Sequence, residues 1–343
     1  MLSKKIIYFG PNIEGSTTKK RINSLKDLKF YVNTVDSCDY YRLRSSIFKA
    51  LQIRIGLGPI YKNVLFKVLE EIDFFKPDYL IIESAFLFNT ETLTKIKRKN
   101  PKLKLIFLTV DSIKTKTFQR SFFLKSLNLY DFVITTKSQD IDIYKKYFFK
   151  KLIFSYQGID EHNFLNYSLS ANEGHLKSEV VFIGDYGKDR AKTIKFLIEA
   201  DIPIKIFGFN WHRYKFFKPF YFGPAMADNY YKVLNNAKIA LCFLNVEAGD
   251  TYTTRSLEIP ASGTLLLAEE TKDHKNLFKE NKEAVFFKNQ NDLVKKIKYY
   301  LINDKERKKI AQLGKNRIKQ LDLTWKSNLK KIFLELENYT YLK

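Results

Sequence analysis

The densest run of residues able to do chemistry lies between Asn245 and Gly263: Asn-Val-Glu-Ala-Gly-Asp250-Thr-Tyr-Thr253-Thr254-Arg255-Ser-Leu-Glu258-Ile-Pro-Ala-Ser-Gly. A strand ends here, a polar loop carries acids, and a helix opens on hydroxyl residues. The backbone N–H groups of Thr253, Thr254 and Arg255 are placed to receive a diphosphate, and Arg255 adds a cation. Glu258 lies about one helical turn further on, roughly 5 Å along the axis. From there a carboxylate reaches ribose hydroxyls while phosphates sit at the helix tip. The alternative is an ordinary capped helix with a solvated Glu258; Gly263 ends the helix in either case.

Two other loops share a strand–glycine–helix grammar. Phe182-Ile-Gly184-Asp-Tyr-Gly-Lys188-Asp-Arg190 puts Lys188, Arg190 and Lys192 at a helix start. Cations there oppose the helix dipole, so a bound phosphate would relieve the arrangement. Near the N-terminus, Gly10 to Gly15 and the hydroxyl run Ser16-Thr17-Thr18 precede a helix carrying Lys20 and Arg21. Glycines there would let the backbone approach a ligand, though neither Gly-Lys-Ser/Thr nor Gly-x-Gly-x-x-Gly is present. Asp111 ends the apolar run Leu108-Thr-Val and is either an acceptor-side group or a structural turn. The four histidines, His162, His175, His212 and His274, have no metal-site spacing and read as surface or linker. His212 beside Trp211 is a further candidate for the pocket lining.

These loops need strands to position them. Short β-rich runs alternate with amphipathic helices, the pattern of parallel α/β sheets. Strands are expected at 5–9, 30–35, 79–83, 103–109, 132–135 and 152–156, then again at 179–184, 204–208, 239–245, 265–268 and 284–287. Between the two sets, 158–178 lacks periodicity and reads as an interdomain linker. The domains expected are 1–165 and 175–323, followed by a closing helical segment, 324–343. In open α/β sheets ligands bind beyond the carboxyl ends of strands, which is where all four loops fall.

Composition narrows the field. A length of 343 residues with 45% hydrophobic content suits two cores. The net charge is +23, and arginine supplies only 11 of the 60 basic residues. Both halves carry the excess, unlike the concentrated arginine of nucleic-acid readers. The charge reads first as a solvated lysine surface and second as attraction to an anionic membrane or substrate, with peripheral membrane contact an open alternative; nucleic acid is not expected as a partner. Cys38 and Cys242 are too few for a disulfide framework. The short apolar N-terminal stretch is not a signal peptide, and no run is long enough to span a bilayer. The expected location is cytoplasmic, at most peripheral to the inner face of the membrane.

The run Asp250 to Gly263, with Lys76-Pro-Asp-Tyr-Leu-Ile-Ile-Glu83, Gln157-Gly-Ile-Asp160, Val181-Phe-Ile-Gly184 and Lys282-Glu-Ala-Val-Phe-Phe287, resembles bacterial glycosyltransferases of the spore-maturation (CgeB-like) type. These have the GT-B architecture. The resemblance implies two Rossmann-like α/β/α domains facing a cleft, with C-terminal helices crossing back to the first domain. It implies a hexosyltransferase-like enzyme moving sugar from a nucleoside-diphosphate sugar to an acceptor (glycan, lipid or protein), retaining, and using neither metal nor cofactor. In related retaining enzymes two acids separated by seven residues contact the donor sugar and the ribose. Asp250 and Glu258 have that spacing, with Asp250 one methylene shorter than the usual Glu. Asp250, Arg255 and Arg190 would be the catalytic set. Gly184, Lys188, Thr253, Thr254 and Glu258, with Gly10 and Gly15, would bind the donor. A phosphorylase or epimerase, or a non-catalytic nucleotide-sugar-binding or assembly protein, would be the rivals on this scaffold.

Overall fold

Runs such as Tyr79–Ile82 and Phe132–Thr135 are buried at every position. A strand with no wet face belongs in a parallel sheet covered by helices on both sides. The computed structural model describes residues 4–41, 47–115, 121–148, 150–245 and 248–341. It divides into two units. Unit 1 comprises Met1–Gln157, Val246–Asp250 and Trp325–Lys343; unit 2 comprises Gly158–Asn245 and Thr251–Thr324.

Unit 1 holds β1 (Lys5–Gly10), β2 (Tyr31–Asp36), β3 (Tyr79–Ile82), β4 (Lys104–Thr109), β5 (Phe132–Thr135) and β6 (Lys151–Phe154). They form one sheet in the order β2-β1-β3-β4-β5-β6, every pair parallel. Unit 2 holds β7 (Ser178–Ile183), β8 (Ile204–Phe207), β9 (Ala237–Cys242), β10 (Leu265–Glu269) and β11 (Val285–Phe287). Their order is β11-β10-β9-β7-β8, again parallel throughout. In each sheet the first strand lies between the second and the third. This order leaves a crevice at the carboxyl ends of β1 and β3, and of β7 and β9.

The strand expected at 239–245 forms at Ala237–Cys242 instead. The amide of Leu244 is taken by the Glu269 carboxylate at 3.0 Å, which ends the ladder early. The stretch read as a linker is packed within unit 2. Ile159 is fully buried and its N–H donates to the Leu323 carbonyl at 2.9 Å, while short 3₁₀ turns run over Glu161–Phe164 and Ala171–Leu176. Turns of that kind carry no periodic apolar signal.

One face of the first sheet is covered by the helices Pro59–Phe75 and Thr90–Lys99, through Val64, Val68, Ile72, Leu93 and Ile96. The other is covered by Thr17–Asp27 and by the last helix, Trp325–Tyr341. Leu329, Ile332, Phe333 and Leu336 join Ile6, Tyr8, Ile81 and Ile106 in that layer, with Phe333 packed on Phe30 and Tyr79. The chain thus returns to unit 1 at its end.

At the β1/β3 crevice sits a buried charge network. Arg21, 3% exposed, donates from Nη2 to Glu83 at 2.5 Å and from Nε to the Tyr8 hydroxyl at 3.0 Å. Tyr8 and Thr18 hydroxyls donate to the second Glu83 oxygen at 2.8 and 2.9 Å. The Trp325 ring lies 5.3 Å from the guanidinium. Removing one partner strands the other charge in a dry site, so Glu83→Ala should cost about 3–5 kcal/mol, and Arg21→Met/Glu83→Leu should recover most of it. The two tryptophans fall one per unit. Urea unfolding read by Trp325 fluorescence in a Trp211→Phe background isolates unit 1, and equal stability of the two variants would sink the claim.

Candidate functional site

The β7/β9 crevice is assembled from the loops that follow those strands. After β7 the chain turns at Gly184 and enters the helix Lys188–Glu199 through Gly187, with no side chain capping its first N–H groups. Gly184 is held on three sides. Its N–H donates to the Phe207 carbonyl at 2.8 Å, its carbonyl accepts the Trp211 indole N–H at 2.7 Å, and the Phe182 ring fills the space a Cβ would need. Gly208, at φ +138°, brings its Cα side so close that a Cβ would lie 2.1 Å from the Gly184 carbonyl oxygen. Any larger residue there would push the loop away. Trp211 is fully buried, whereas His212 is exposed. The tryptophan, not the histidine, is tied to this loop. Lys188 and Lys192 are exposed, and Arg190 donates to the Asp185 carbonyl at 3.2 Å.

After β9 the helix Arg255–Ala261 begins. Glu258 is 6% exposed and accepts a short hydrogen bond from the Tyr230 hydroxyl, so the carboxylate is gripped rather than solvated. Burial, and then the Glu258 charge, push the Tyr230 phenol well above its ordinary range, so it stays a donor. Burial works against the Arg255 charge, and the carboxylates of Glu258 and Asp185 favour it, so the guanidinium stays charged. Its Nε is buried and has no hydrogen-bond partner. A half-buried guanidinium with a buried, idle donor nitrogen is a group able to take an anion.

The helix start is fixed by a chain of hydrogen bonds from below. Thr253 N–H donates to Ser256 Oγ at 3.0 Å, which removes it from the three N–H groups expected to meet a ligand. Ser256 Oγ lies 2.8 Å from His274 Nε2, and His274 Nδ1 lies 2.6 Å from the Glu269 carbonyl. A carbonyl can only accept, so the proton sits on Nδ1; Nε2 therefore accepts from the serine, whose oxygen is left free for Thr253. His274 is not a surface residue: it is fully buried, stacked on Phe286. The other histidines, His162, His175 and His212, are exposed.

Asp250 falls in unit 1, where it forms an ion pair with Lys137, a side chain 1% exposed just after β5. Gln139 Nε2 donates to the Gly249 carbonyl at 2.6 Å, and Ser112 N–H to that of Ala248 at 3.4 Å. Asp111 stands nearby, its carboxyl raised by burial and lowered in part by Lys137. Residues 246 and 247, part of the same run, lie outside the described residues. Gly10 packs its Cα against Glu83 and Tyr8, and Gly15 lies in an open turn at φ +75°. The structure therefore brings Gly184, Lys188, Arg190, Thr253, Thr254, Arg255 and Glu258 into unit 2, and Gly10, Gly15, Asp111 and Asp250 into unit 1. Tyr230, Ser256, His274 and Lys137 escaped the sequence reading. Only Lys137, at a strand's carboxyl end, carried a signal that could have found it. Among the described residues no group of three or more His, Cys, Asp or Glu is placed to hold a metal ion.

Residues 190–333 match a protein family described as glycosyl transferase-like. No curated protein matches the sequence. Among solved structures, sucrose-phosphate synthase from Thermosynechococcus elongatus is similar over 98% of this chain and all of its own, with TM-score 0.70 and 11% identity. Anabaena HepE, solved with UDP-glucose, covers 98% of this chain and all of its own, at 0.67 and 13%. A glycosyltransferase from Rickettsia africae covers 99% of both chains, at 0.62 and 15%. At such identities the likeness establishes the fold, two parallel α/β sheets of the GT-B kind.

His274 gives the site a pH dependence. Burial lowers its pKa from 6.5 to about 4. Between those values the unfolded chain binds a proton that the folded one refuses. Stability is therefore complete above pH about 6.5 and drains toward pH about 4, by about 1.4 kcal/mol per unit and some 3 kcal/mol in all. Urea unfolding of unit 2, read by Trp211 fluorescence in a Trp325→Phe background, should show this slope. His274→Gln should remove it while lowering stability at neutral pH; an unchanged slope would refute the assignment.

Proposed function

We propose that this protein is a glycosyltransferase that takes a sugar from a nucleoside-diphosphate sugar held by unit 2. The observation that carries the reading is Arg255, a half-buried cation whose buried Nε has no hydrogen-bond partner among the described residues, beside the Tyr230-bound Glu258. The diphosphate would meet Arg255 and the uncapped start of the helix Lys188–Glu199, with Lys188 and Arg190 adding charge. Glu258 would accept from the ribose hydroxyls. As the sugar leaves, negative charge grows on the diphosphate, and fixed donors in a partly dry site stabilise it most at that moment. In this scheme the cations and the helix terminus take the part a divalent ion plays elsewhere. Asp250, ion-paired with Lys137, is assigned to the donor sugar, and Lys137 positions it. Retention of configuration, a hexose donor and a glycan, lipid or protein acceptor complete the proposal. The glycosyl transferase-like match over 190–333 and the UDP-glucose held by HepE support the donor class.

The test is thermal unfolding with UDP-, GDP-, dTDP- and ADP-sugars, followed by assay of free nucleoside diphosphate. A ligand at about 100 times its dissociation constant adds about 2.7 kcal/mol, a clear rise in melting temperature. One nucleotide class should give that rise, and Glu258→Ala should abolish it. Asp250→Asn and Lys137→Met should leave the rise in place and slow release of the diphosphate at least tenfold. No rise with any nucleotide would refute the donor site. A rise without turnover, with any acceptor class supplied, would favour the non-catalytic nucleotide-sugar binder.

A further inference from the structure

We propose that the helix Ile47–Ile55 is an interfacial element that seats the protein on an anionic lipid surface. Soluble proteins expose large apolar side chains singly. Here Ile47, Phe48, Leu51 and Ile55 are 87%, 74%, 51% and 52% exposed, and Leu57 follows at 59%. At the helical period the first four occupy about 100° of the circumference, with Arg54 at one border.

The opposite face of this helix is anchored. Ile53 packs against the unit 1 core, Gln52 Oε1 accepts from the Ile60 N–H at 3.0 Å, and Asn89 Nδ2 donates to the Gly56 carbonyl at 2.9 Å. The apolar stripe is therefore held outward by design of its inner contacts, and is not the by-product of a misplaced helix.

Charge identifies the occupant. Across the described residues 47–69 the sequence has four basic residues, Lys49, Arg54, Lys62 and Lys67, and no Asp or Glu. Lys67 is engaged by Glu70 and Glu71 at 2.9 and 2.8 Å. A second copy docked by two-fold symmetry would bring this acid-free face against itself and set cation against cation. An anionic bilayer accepts the apolar stripe into its headgroup boundary and the cations onto its phosphates. The proposal does not rest on the sugar-transfer reading.

The experiment is flotation of the full chain with vesicles of phosphatidylcholine alone and of phosphatidylcholine mixed with phosphatidylglycerol. Binding should appear on the mixed vesicles, stay weak on the neutral ones and fall as salt is raised. Phe48→Ser/Leu51→Ser changes only exposed side chains, so its melting temperature should match the wild type while binding falls about tenfold or more. Lys49→Glu/Arg54→Glu should erase the preference for phosphatidylglycerol. Nucleotide-sugar binding, measured without vesicles, should be the same in all variants. Failure to float with mixed vesicles, or flotation indifferent to both variants, would overturn the proposal. A concentration-dependent dimer lost in Phe48→Ser/Leu51→Ser, without lipid binding, would assign the face to a second copy.

Discussion

A cation withdrawn from water must be answered by negative charge or it will not stay there. Arg255 is such a cation, and much of unit 2 is arranged around answering it. The negative charge comes from Asp185, in the turn after β7, and from Glu258, in its own helix one turn on; Tyr230, from the helix Asp228–Asn235, holds Glu258 as a neutral donor, and burial keeps the Cys242 thiol at the end of β9 neutral. Each arrives by a different stretch of chain, so the parallel sheet that fixes those stretches also fixes the electrostatics of the crevice. The answer is incomplete, because Nε finds no hydrogen-bond partner among the described residues. That combination, a charge stabilised enough to be buried but not saturated, distinguishes a binding group from a structural one.

The second requirement is that the loop before Arg255 not wander. Thr253, Ser256 and His274 form a line of donors and acceptors ending on the Glu269 carbonyl. The hydrogen bond from Ser256 to His274 depends on His274 being neutral, since a protonated ring would offer two donors and leave the serine no acceptor to point at. Burial against Phe286 enforces neutrality. The same Glu269 caps the amide of Leu244 with its side chain, so one residue at the end of β10 steadies the loop from both directions. A site meant to hold a flexible diphosphate gains from a backbone that is already in place before the ligand arrives.

How much of this could be read from the chain alone follows from locality. The strands were legible because their burial is continuous, and continuous burial leaves a continuous apolar run. Arg255 and Glu258 were legible because helical spacing alone places them on neighbouring turns. Tyr230 and His274 were not. Tyr230 reaches Glu258 from 28 residues away, and His274 sits in Lys-Asp-His-Lys-Asn, a sequence that looks solvated. Its burial comes from β10 and β11 closing over it, a tertiary fact with no local trace. The stretch 158–178 misled in the opposite sense, because an isolated β-bridge at Ile159 and a 3₁₀ turn at Asn163 bury single residues without any period.

The two glycine loops show where sequence grammar stops. Gly10–Gly15 and Gly184–Gly187 both follow a first strand, both precede a helix, and both helices carry an arginine within their first five residues. In unit 1 that arginine, Arg21, spends Nε on Tyr8 and Nη2 on Glu83, and Glu83 is itself met by Tyr8 and Thr18. The network is closed on itself, and a closed network specifies a core. In unit 2 the corresponding cation, Arg190, donates to the Asp185 carbonyl, and Arg255 across the crevice keeps an idle donor. The motif says that a charge will be brought to a strand's carboxyl end. Whether that charge holds the fold or a ligand is decided by the carboxylate: β3 delivers Glu83 close enough to quench Arg21, while in unit 2 Glu258 is tied up by Tyr230 and leaves the guanidinium partly unspent.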